Sequence, residues 1–187
     1  ILALFARHKV KPIMGVTAAW VEQDGSLTPF PEKFPEEAAV LKQAFQKGAI
    51  MIGNHGLTHC RVGSHVPQFA KGNRSAHREF WPDLPQSVHT EHIQRSQQIL
   101  ETYFGAKIHI LIPPGNVWSK KTYQALAGTS ITEVHSHRYM MDADEPMDGI
   151  TFVDDRSVFL LWHDRELKRK GPRWVAKQLQ QHMHASA

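Results

Sequence analysis

The sequence contains a single cysteine and no long hydrophobic run. One thiol, Cys60, cannot form an internal disulfide, and it weakly favours a reducing compartment, so a cytoplasmic location is slightly favoured. No apolar stretch approaches the roughly 20 residues that a membrane helix needs, and we therefore predict no membrane span. The chain begins at Ile1, inside a predicted helix and without a methionine, so the absence of a targeting signal carries little information.

The net charge is small and is spread along the chain. Lysine and arginine number 22 against 18 acidic residues, which gives a formal charge of +4. The one dense basic cluster, residues 165–173, is more typical of a solvated loop than of a nucleic-acid-binding patch. A hydrophobic content of 41% and a length of 187 residues suffice for one domain with a core. We predict a single domain, residues 1–187, with no nucleic-acid partner.

Predicted strands and helices alternate in the first part of the chain. Residues 12–18 are apolar and predict a strand, whereas residues 21–34 are rich in proline and turn residues and predict an irregular loop. A helix is predicted from Pro35 to Gly48, and a buried strand over residues 49–52. A strand, a helix and a strand in succession predict two parallel strands joined by a right-handed crossover.

The alternation continues after an irregular stretch at residues 60–86. The predicted elements are a helix at 88–104, a strand at 107–112, a helix at 119–127, strands at 131–135, 150–153 and 158–162, and a helix at 172–184. This order is typical of an α/β protein.

Two histidines follow the predicted strand at residues 49–52. His55 and His59 are four positions apart, so one helical turn after the strand would place both imidazoles on one face, as half of a metal site. The place is suitable, because α/β folds carry their chemistry at the carboxyl ends of strands. Spacing alone is a weak signal, since thirteen histidines also produce close pairs by chance.

The string from Ile52 to His59 resembles the second motif of the polysaccharide deacetylases, the NodB-homology group of carbohydrate esterases (family 4). In that family, a strand followed by Gly-Asn-His and a second His supplies two ligands of a divalent metal. The resemblance implies that His55 and His59 bind a divalent ion, with Zn²⁺ the foremost candidate and Co²⁺ or another ion the alternative. It also implies an N-acetylated carbohydrate as substrate.

A second match lies at the turn that follows the strand at residues 107–112. The family's third motif is Arg-Pro-Pro-aromatic-Gly, and this sequence has the paired prolines, but Ile112 in place of the arginine and Gly115 in place of the aromatic residue. The resemblance implies that the Gly115 amide helps to hold the tetrahedral oxyanion. Taken alone, the turn is equally well explained as a rigid connection between two elements.

The third match is the apolar strand at residues 158–162, which runs into His163 and Asp164. It is similar to the family's fifth motif, in which the histidine is the general acid, so the resemblance implies this role for His163. Asp164 is a possible orienter of that histidine, and Asp154 and Asp155 are equally eligible. The implied substrate-groove residues are Pro113, Pro114, Asn116, Leu161 and Trp162.

The family's first motif, a strand followed by two aspartates, is missing. In the family these aspartates are the third metal ligand and the catalytic base, and we expect them upstream of Ile1. The resemblance implies a distorted (β/α) barrel of seven or eight strands, with its N-terminal strand missing here. The chain as given is therefore expected to bind metal weakly and to be nearly inactive.

Together these matches predict a metal-dependent hydrolase that removes N-acetyl groups from a sugar of a cell-surface or cell-wall polysaccharide or its precursor. Two alternatives stay open. One is a catalytically inactive carbohydrate-binding protein on the same barrel, and the other is a related metal hydrolase acting on a non-sugar amide. Paired aspartates upstream of Ile1 would favour the enzyme over the binding protein.

Overall fold

The structure is a computed structural model, and it describes residues 2–60, 79–136, 148–154 and 164–185. The helices are α1 (Leu2–Arg7), α2 (Phe30–Lys33), α3 (Pro35–Gln46), α4 (Gln86–Phe104), α5 (Lys120–Ala125) and α6 (Asp164–Ala185), with a short 3-10 helix at Pro114–Asn116. The strands are β1 (Ile13–Val16), β2 (Ala19–Val21), β3 (Leu27–Pro29), β4 (Met51–Asn54), β5 (Ile110–Leu111), β6 (Glu133–Ser136) and β7 (Thr151–Asp154).

Five parallel strands form the main sheet, in the order β1, β4, β5, β6, β7. Strands β1 and β4 pair with Gly15 opposite Gly53, which confirms the predicted parallel pair around helix α3. The α/β class is therefore confirmed. Within the described ranges the sheet is open, with β1 and β7 at its two edges. The closed barrel stays a prediction.

The prediction of an irregular loop over residues 21–34 is wrong. Strands β2 and β3 form an antiparallel hairpin there, and helix α2 follows. The turn residues are concentrated in one tight turn, where the Ser26 amide donates to Asp24 Oδ1 at 2.9 Å. Prolines stand at the helix start, where a missing amide donor costs nothing. Lys33 then reaches back to the Glu22 carboxylate at 2.6 Å.

The last helix begins earlier than predicted, at Asp164 instead of residue 172. Gly171 has a φ of 75° and Pro172 follows it, so the helix consists of two segments joined by a kink. The predicted helix is the second segment. The first segment starts directly after His163, which lies outside the described residues together with Leu161 and Trp162.

The core consists of three clusters of buried apolar side chains. One cluster packs β4 against α4 and includes Ile50, Ile52, Leu100 and Phe104. The others, listed by their largest members, are Phe80, Ile93, Leu111, Trp118 and Val134, and then Phe5, Val175 and Leu179. Each fully buried side chain of this size contributes roughly 1.5–3 kcal/mol. Of the helices described, none has the length and apolarity that crossing a membrane requires.

Parallel strands bring their carboxyl ends to one edge of the sheet. Strand β4 delivers His55 to this edge, and β5 delivers the turn at residues 113–116. Strands β6 and β7 end at the same edge, and residues 137–147 and 155–163, which follow them, lie outside the described residues. The sheet therefore brings two of the three sequence matches together.

Candidate metal-binding site

His55 and His59 lie side by side at the carboxyl edge of the sheet. Their ring centroids are 4.8 Å apart and the rings are inclined by 59°. The residues after β4 do not form the helical turn that would have aligned the two histidines, because Gly56 and His59 both have left-handed backbone conformations, with φ of 78° and 60°. A loop, residues 55–60, brings the rings together, and we call it the histidine loop. Two rings at this separation are candidates for binding one ion, whose bonds to histidine nitrogens would be about 2.0–2.1 Å long.

The Ile112 carbonyl determines which nitrogen of His55 carries the proton. Nδ1 of His55 lies 2.6 Å from the Ile112 oxygen. A carbonyl can only accept, so Nδ1 is the protonated nitrogen, and in the neutral ring Nε2 has the lone pair. Metal-binding histidines are oriented in this way by a backbone or carboxylate acceptor. This histidine therefore has the tautomer that a metal ligand needs.

The backbone of His55 is fixed from both neighbouring strands. Its amide donates to the Val16 carbonyl at 3.0 Å, at the end of β1. The Ile112 amide donates to the Asn54 carbonyl at 2.8 Å, at the end of β5. The Ile112 side chain lies across the sheet, and its Cδ1 would be 2.9 Å from a Cβ at Gly53 and 3.3 Å from one at Gly15. Ile112, which takes the place of the motif's arginine, thus fills the space above the two glycines with an apolar side chain.

Asn54 ties the end of β4 to helix α4. It is fully buried, and its side-chain amide donates to Ser96 Oγ at 2.8 Å and to Gln97 Oε1 at 3.0 Å. Its Oδ1 accepts from the Gly56 amide at 2.9 Å. The side chain therefore satisfies buried polar groups on two elements and starts the turn into the histidine loop.

Glu79 is the residue that the sequence prediction missed. It is fully buried, and its carboxylate accepts hydrogen bonds from three successive amides of the histidine loop. Oε1 accepts from Leu57 at 2.7 Å and Thr58 at 3.2 Å, and Oε2 accepts from His59 at 2.8 Å. His92 Nδ1 lies 2.6 Å from Oε1. No sequence motif predicts this role. Glu79 is 20 positions from His59, in a stretch of sequence without hydrophobic periodicity.

The turn after β5 packs against the histidine loop. A Cβ added to Gly56 would lie 2.9 Å from Cγ of Pro114, which is buried. The Asn116 amide donates to the Pro113 carbonyl at 3.0 Å, so it is engaged within the turn. Gly115, with a φ of 62°, carries the candidate oxyanion donor. Asn116 Oδ1 accepts from Ser136 Oγ at 3.1 Å, which connects this turn to β6.

His55 and His59 together provide only part of a metal site. In the described ranges, no group of three or more histidine, cysteine, aspartate or glutamate side chains is arranged to hold an ion. Two imidazoles fit a divalent ion, and the third ligand stays a prediction. Cys60 is a poor candidate, because burial, together with the nearby Glu79 charge, raises the pKa of its thiol to about 12. His163 lies outside the described residues, as does the side chain of Asp164.

Comparison with known families places these features in context. The family model described as polysaccharide deacetylase matches residues 1–134. The chain belongs to the polysaccharide deacetylase family. The predicted family is thereby confirmed, and the motif match at His163 lies beyond the matched residues. Comparison with curated proteins finds no match.

Solved structures of the family share the fold at low sequence identity. A family 4 carbohydrate esterase from Streptomyces lividans, in complex with acetate, is 14% identical with a TM-score of 0.51, over 99% of this chain and 80% of that one. IcaB from Ammonifex degensii is 16% identical with a TM-score of 0.52, over 96% of this chain and 66% of that one. Both show a shared fold.

A more distant match is a CE4 family pseudoenzyme from Bacillus anthracis. It is 11% identical with a TM-score of 0.46, and the match covers 71% of this chain. This chain spans little more than a third of that protein's length, 36%.

Proposed function

We propose that this member of the polysaccharide deacetylase family is a metal-dependent hydrolase that removes N-acetyl groups from a sugar of a polysaccharide or its precursor. The observation that carries the proposal is the pair of histidines at the carboxyl edge of the sheet, with Nδ1 of His55 bound to the Ile112 carbonyl. That arrangement suits neutral imidazole ligands of a divalent ion.

In this proposal His55 and His59 hold the ion, with Zn²⁺ foremost and Co²⁺ the alternative. When bound, such an ion lowers the pKa of a water molecule to ~7 and polarises a carbonyl oxygen. The Gly115 amide donates to the oxygen that gains negative charge as the acetyl carbon becomes tetrahedral. The resemblance implies that a carboxylate completes the ligand set and that a second carboxylate takes the proton from water.

His163 protonates the leaving nitrogen in this scheme. An amide anion is too basic to depart, so C–N cleavage needs a proton delivered to that nitrogen. Asp164 is the proposed orienter of His163. The groove that holds the sugar is formed by Pro113, Pro114, Asn116, Leu161 and Trp162. The proposal includes the closed barrel of seven or eight strands, to which the five described parallel strands would contribute.

A second candidate function is carbohydrate binding without catalysis. It is favoured by Ile112, whose apolar side chain packs on the glycines of β1 and β4 where the family motif has a charged arginine. An isoleucine side chain forms no hydrogen bonds, so any group that the arginine orients in the family lacks that partner here. Acetate release separates the two functions, because the binding protein would retain oligosaccharide affinity without turnover.

Cobalt binding tests the metal site independently of turnover. Co²⁺ is titrated into the chain while the visible absorption is recorded, and the double variant His55→Ala/His59→Ala is compared with His109→Ala. His109 is a matched control because its Nδ1 also donates to a backbone carbonyl, that of Ser130 at 2.8 Å, at the other end of β5. We expect binding to be lost in the double variant and kept in the control. Equal Co²⁺ binding by both variants would refute the metal assignment.

Acetate release tests the reaction. The full-length protein is incubated with Zn²⁺ or Co²⁺ and an N-acetylglucosamine oligosaccharide, and the released acetate is measured enzymatically. A parallel assay with an N-acetylated peptide addresses the non-sugar alternative. Acetate from the sugar supports the proposal. Sugar binding without acetate would establish the binding protein instead.

A further inference from the structure

The Glu79 carboxylate holds the histidine loop at three consecutive points. The amides of Leu57, Thr58 and His59 all donate to it, over distances of 2.7 to 3.2 Å. Charge-assisted bonds of this kind are about twice as strong as bonds between neutral groups. Glu79 is fully buried, and its carboxylate itself satisfies the three amide donors. One side chain thus fixes the backbone of the loop from Leu57 to His59.

Helix α4 holds the carboxylate in turn. His92 Nδ1 lies 2.6 Å from Glu79 Oε1, and its side chain is only 13% exposed. One helical turn further along, Ser96 and Gln97 bind Asn54, which lies immediately before His55. The loop is therefore attached to the same helix at its start through Asn54 and along its length through Glu79.

Gly56 lets the carboxylate approach. A Cβ at this position would overlap Oε2 of Glu79, and the residue also has a φ of 78°, which side-chain-bearing residues rarely adopt. His59 itself has a φ of 60°, an uncommon value for a residue with a Cβ. Because the His59 amide donates to Glu79 Oε2, the carboxylate stabilises the backbone conformation that brings the second imidazole beside the first.

We propose that Glu79 is a positioning residue for the metal-binding histidines, with His92 holding its carboxylate in place. This inference rests on the proposed function of His55 and His59 as metal ligands. Glu79 contacts the backbone of the loop, so it acts on the ion through the geometry of His59. Its removal leaves both imidazoles in the chain and changes where the second one points.

The test compares Co²⁺ binding and the visible Co²⁺ spectrum in the unmodified chain, Glu79→Gln and Glu91→Gln. The glutamine keeps the size of Glu79 but directs an NH₂ group at loop amides. Glu91 is a matched control because it lies on α4 beside His92, is 58% exposed and pairs with Arg95. It reports the effect of removing one negative charge nearby. We expect Glu79→Gln to weaken Co²⁺ binding roughly 10- to 100-fold, with altered absorption bands, and Glu91→Gln to change the affinity less than about 3-fold.

Three outcomes are distinguishable. Unchanged affinity and spectrum in Glu79→Gln would overturn the positioning role while leaving the metal site intact. Equal weakening in Glu79→Gln and Glu91→Gln would also overturn it, because charge alone would then explain the effect. If Co²⁺ binding by the unmodified chain does not depend on His55, the proposed function fails and this inference fails with it.

A milder pair of variants decides the matter if Glu79→Gln does not fold. His92→Leu removes the donor to Glu79 Oε1, whereas His92→Gln supplies an amide N–H in its place. We expect weaker Co²⁺ binding in His92→Leu and substantial recovery in His92→Gln. A purely steric role of His92 would give the two variants the same affinity, and that result would contradict the proposal.

Discussion

At the scale of single residues, the candidate site depends on backbone groups as much as on side chains. The pair of histidines is singled out by the strand before it and by its resemblance to the family motif, since the spacing alone is a weak signal. Their partners could not be predicted. Ile112 acts through a carbonyl that every residue possesses, and Glu79 acts across 20 positions of sequence through amides. Sequence patterns report residue types, whereas these contacts depend on where the chain passes.

Asn54 should be among the most sensitive single positions for stability. Asn54→Leu leaves Ser96, Gln97 and the Gly56 amide without their buried partner. An unsatisfied buried polar group costs about 1–3 kcal/mol, so we expect a decrease of at least 2 kcal/mol in the free energy of unfolding. Urea unfolding followed by circular dichroism measures it. Gln180 is exposed, so Gln180→Ala should change the free energy of unfolding by less than about 0.5 kcal/mol. Similar losses in the two variants would contradict the stabilising role of Asn54.

His163→Ala should separate proton delivery from metal binding. If His163 is the general acid, kcat falls roughly 10²- to 10⁴-fold, while Co²⁺ affinity is unchanged. Steady-state acetate release and a Co²⁺ titration measure the two quantities on the same preparation of the full-length protein. A large loss of Co²⁺ affinity would instead make this histidine a ligand.

At the scale of elements, helix α4 buries polar as well as apolar side chains, and its hydrophobic periodicity does not predict the buried polar ones. The spacing of Ile93, Leu100 and Phe104 predicts the helix, and the structure confirms it. His89, Ser96 and Gln97 are nevertheless buried as well. Pattern analysis assigns such residues to the solvent side. Here they face other elements and satisfy their polar groups.

His89 illustrates a structural use of a buried histidine. Its Nε2 lies 3.2 Å from the Trp81 carbonyl, so Nε2 donates, and Nδ1 accepts from the Thr122 hydroxyl at 3.0 Å. Burial lowers the pKa of His89, which favours the neutral ring that this pattern requires. The close pair of His89 and His92 thus fixes helices and loops, and neither ring needs an ion to account for its partners.

The far end of α4 should make stability depend on pH. Burial alone would raise the pKa of Glu101, but hydrogen bonds from Lys107, Ser130, the Ile108 amide and Gln97 lower it from 4.5 to about 2. A carboxyl whose folded pKa is depressed contributes stability above its unfolded pKa and loses it as the pH falls through the folded pKa. The contribution, about 2–3 kcal/mol, is therefore present at pH 7 and is lost as the pH falls from about 5 to below 2.

Glu101→Gln tests this dependence. We expect the variant to be less stable than the unmodified chain at pH 7 and nearly equal to it at pH 1.5, below the folded pKa of Glu101. Unfolding free energies from urea titrations at several pH values give the comparison. A difference that does not vary with pH would mean that the carboxylate charge is unimportant.

At the scale of the whole molecule, the order of elements was largely predictable and their joining was not. Parallel strands around α3 and the helix at α4 follow from periodicity and turn residues, and both are confirmed. The β2–β3 hairpin was missed because its strands are three residues long, too short for a periodic signal. The early start of α6 was missed because Gly171 and Pro172 look like a helix boundary, although they form a kink.

The two ends of the described chain pack against each other. Phe5 of α1 is buried in one cluster with Val175 and Leu179 of α6, so these two helices pack together. Leu179→Ala should lower the free energy of unfolding by about 2–4 kcal/mol, since it creates a cavity in this cluster. Val40→Ala is the control, because Val40 is 57% exposed. Thermal melts compare the two, and equal small shifts would show that the end-to-end packing does not stabilise the fold.

The bond between the His59 amide and Glu79 has a practical consequence for protein engineering. Any redesign that replaces or transplants the histidine loop has to carry Glu79 and His92 with it, because the carboxylate that accepts from the loop amides comes from outside the loop.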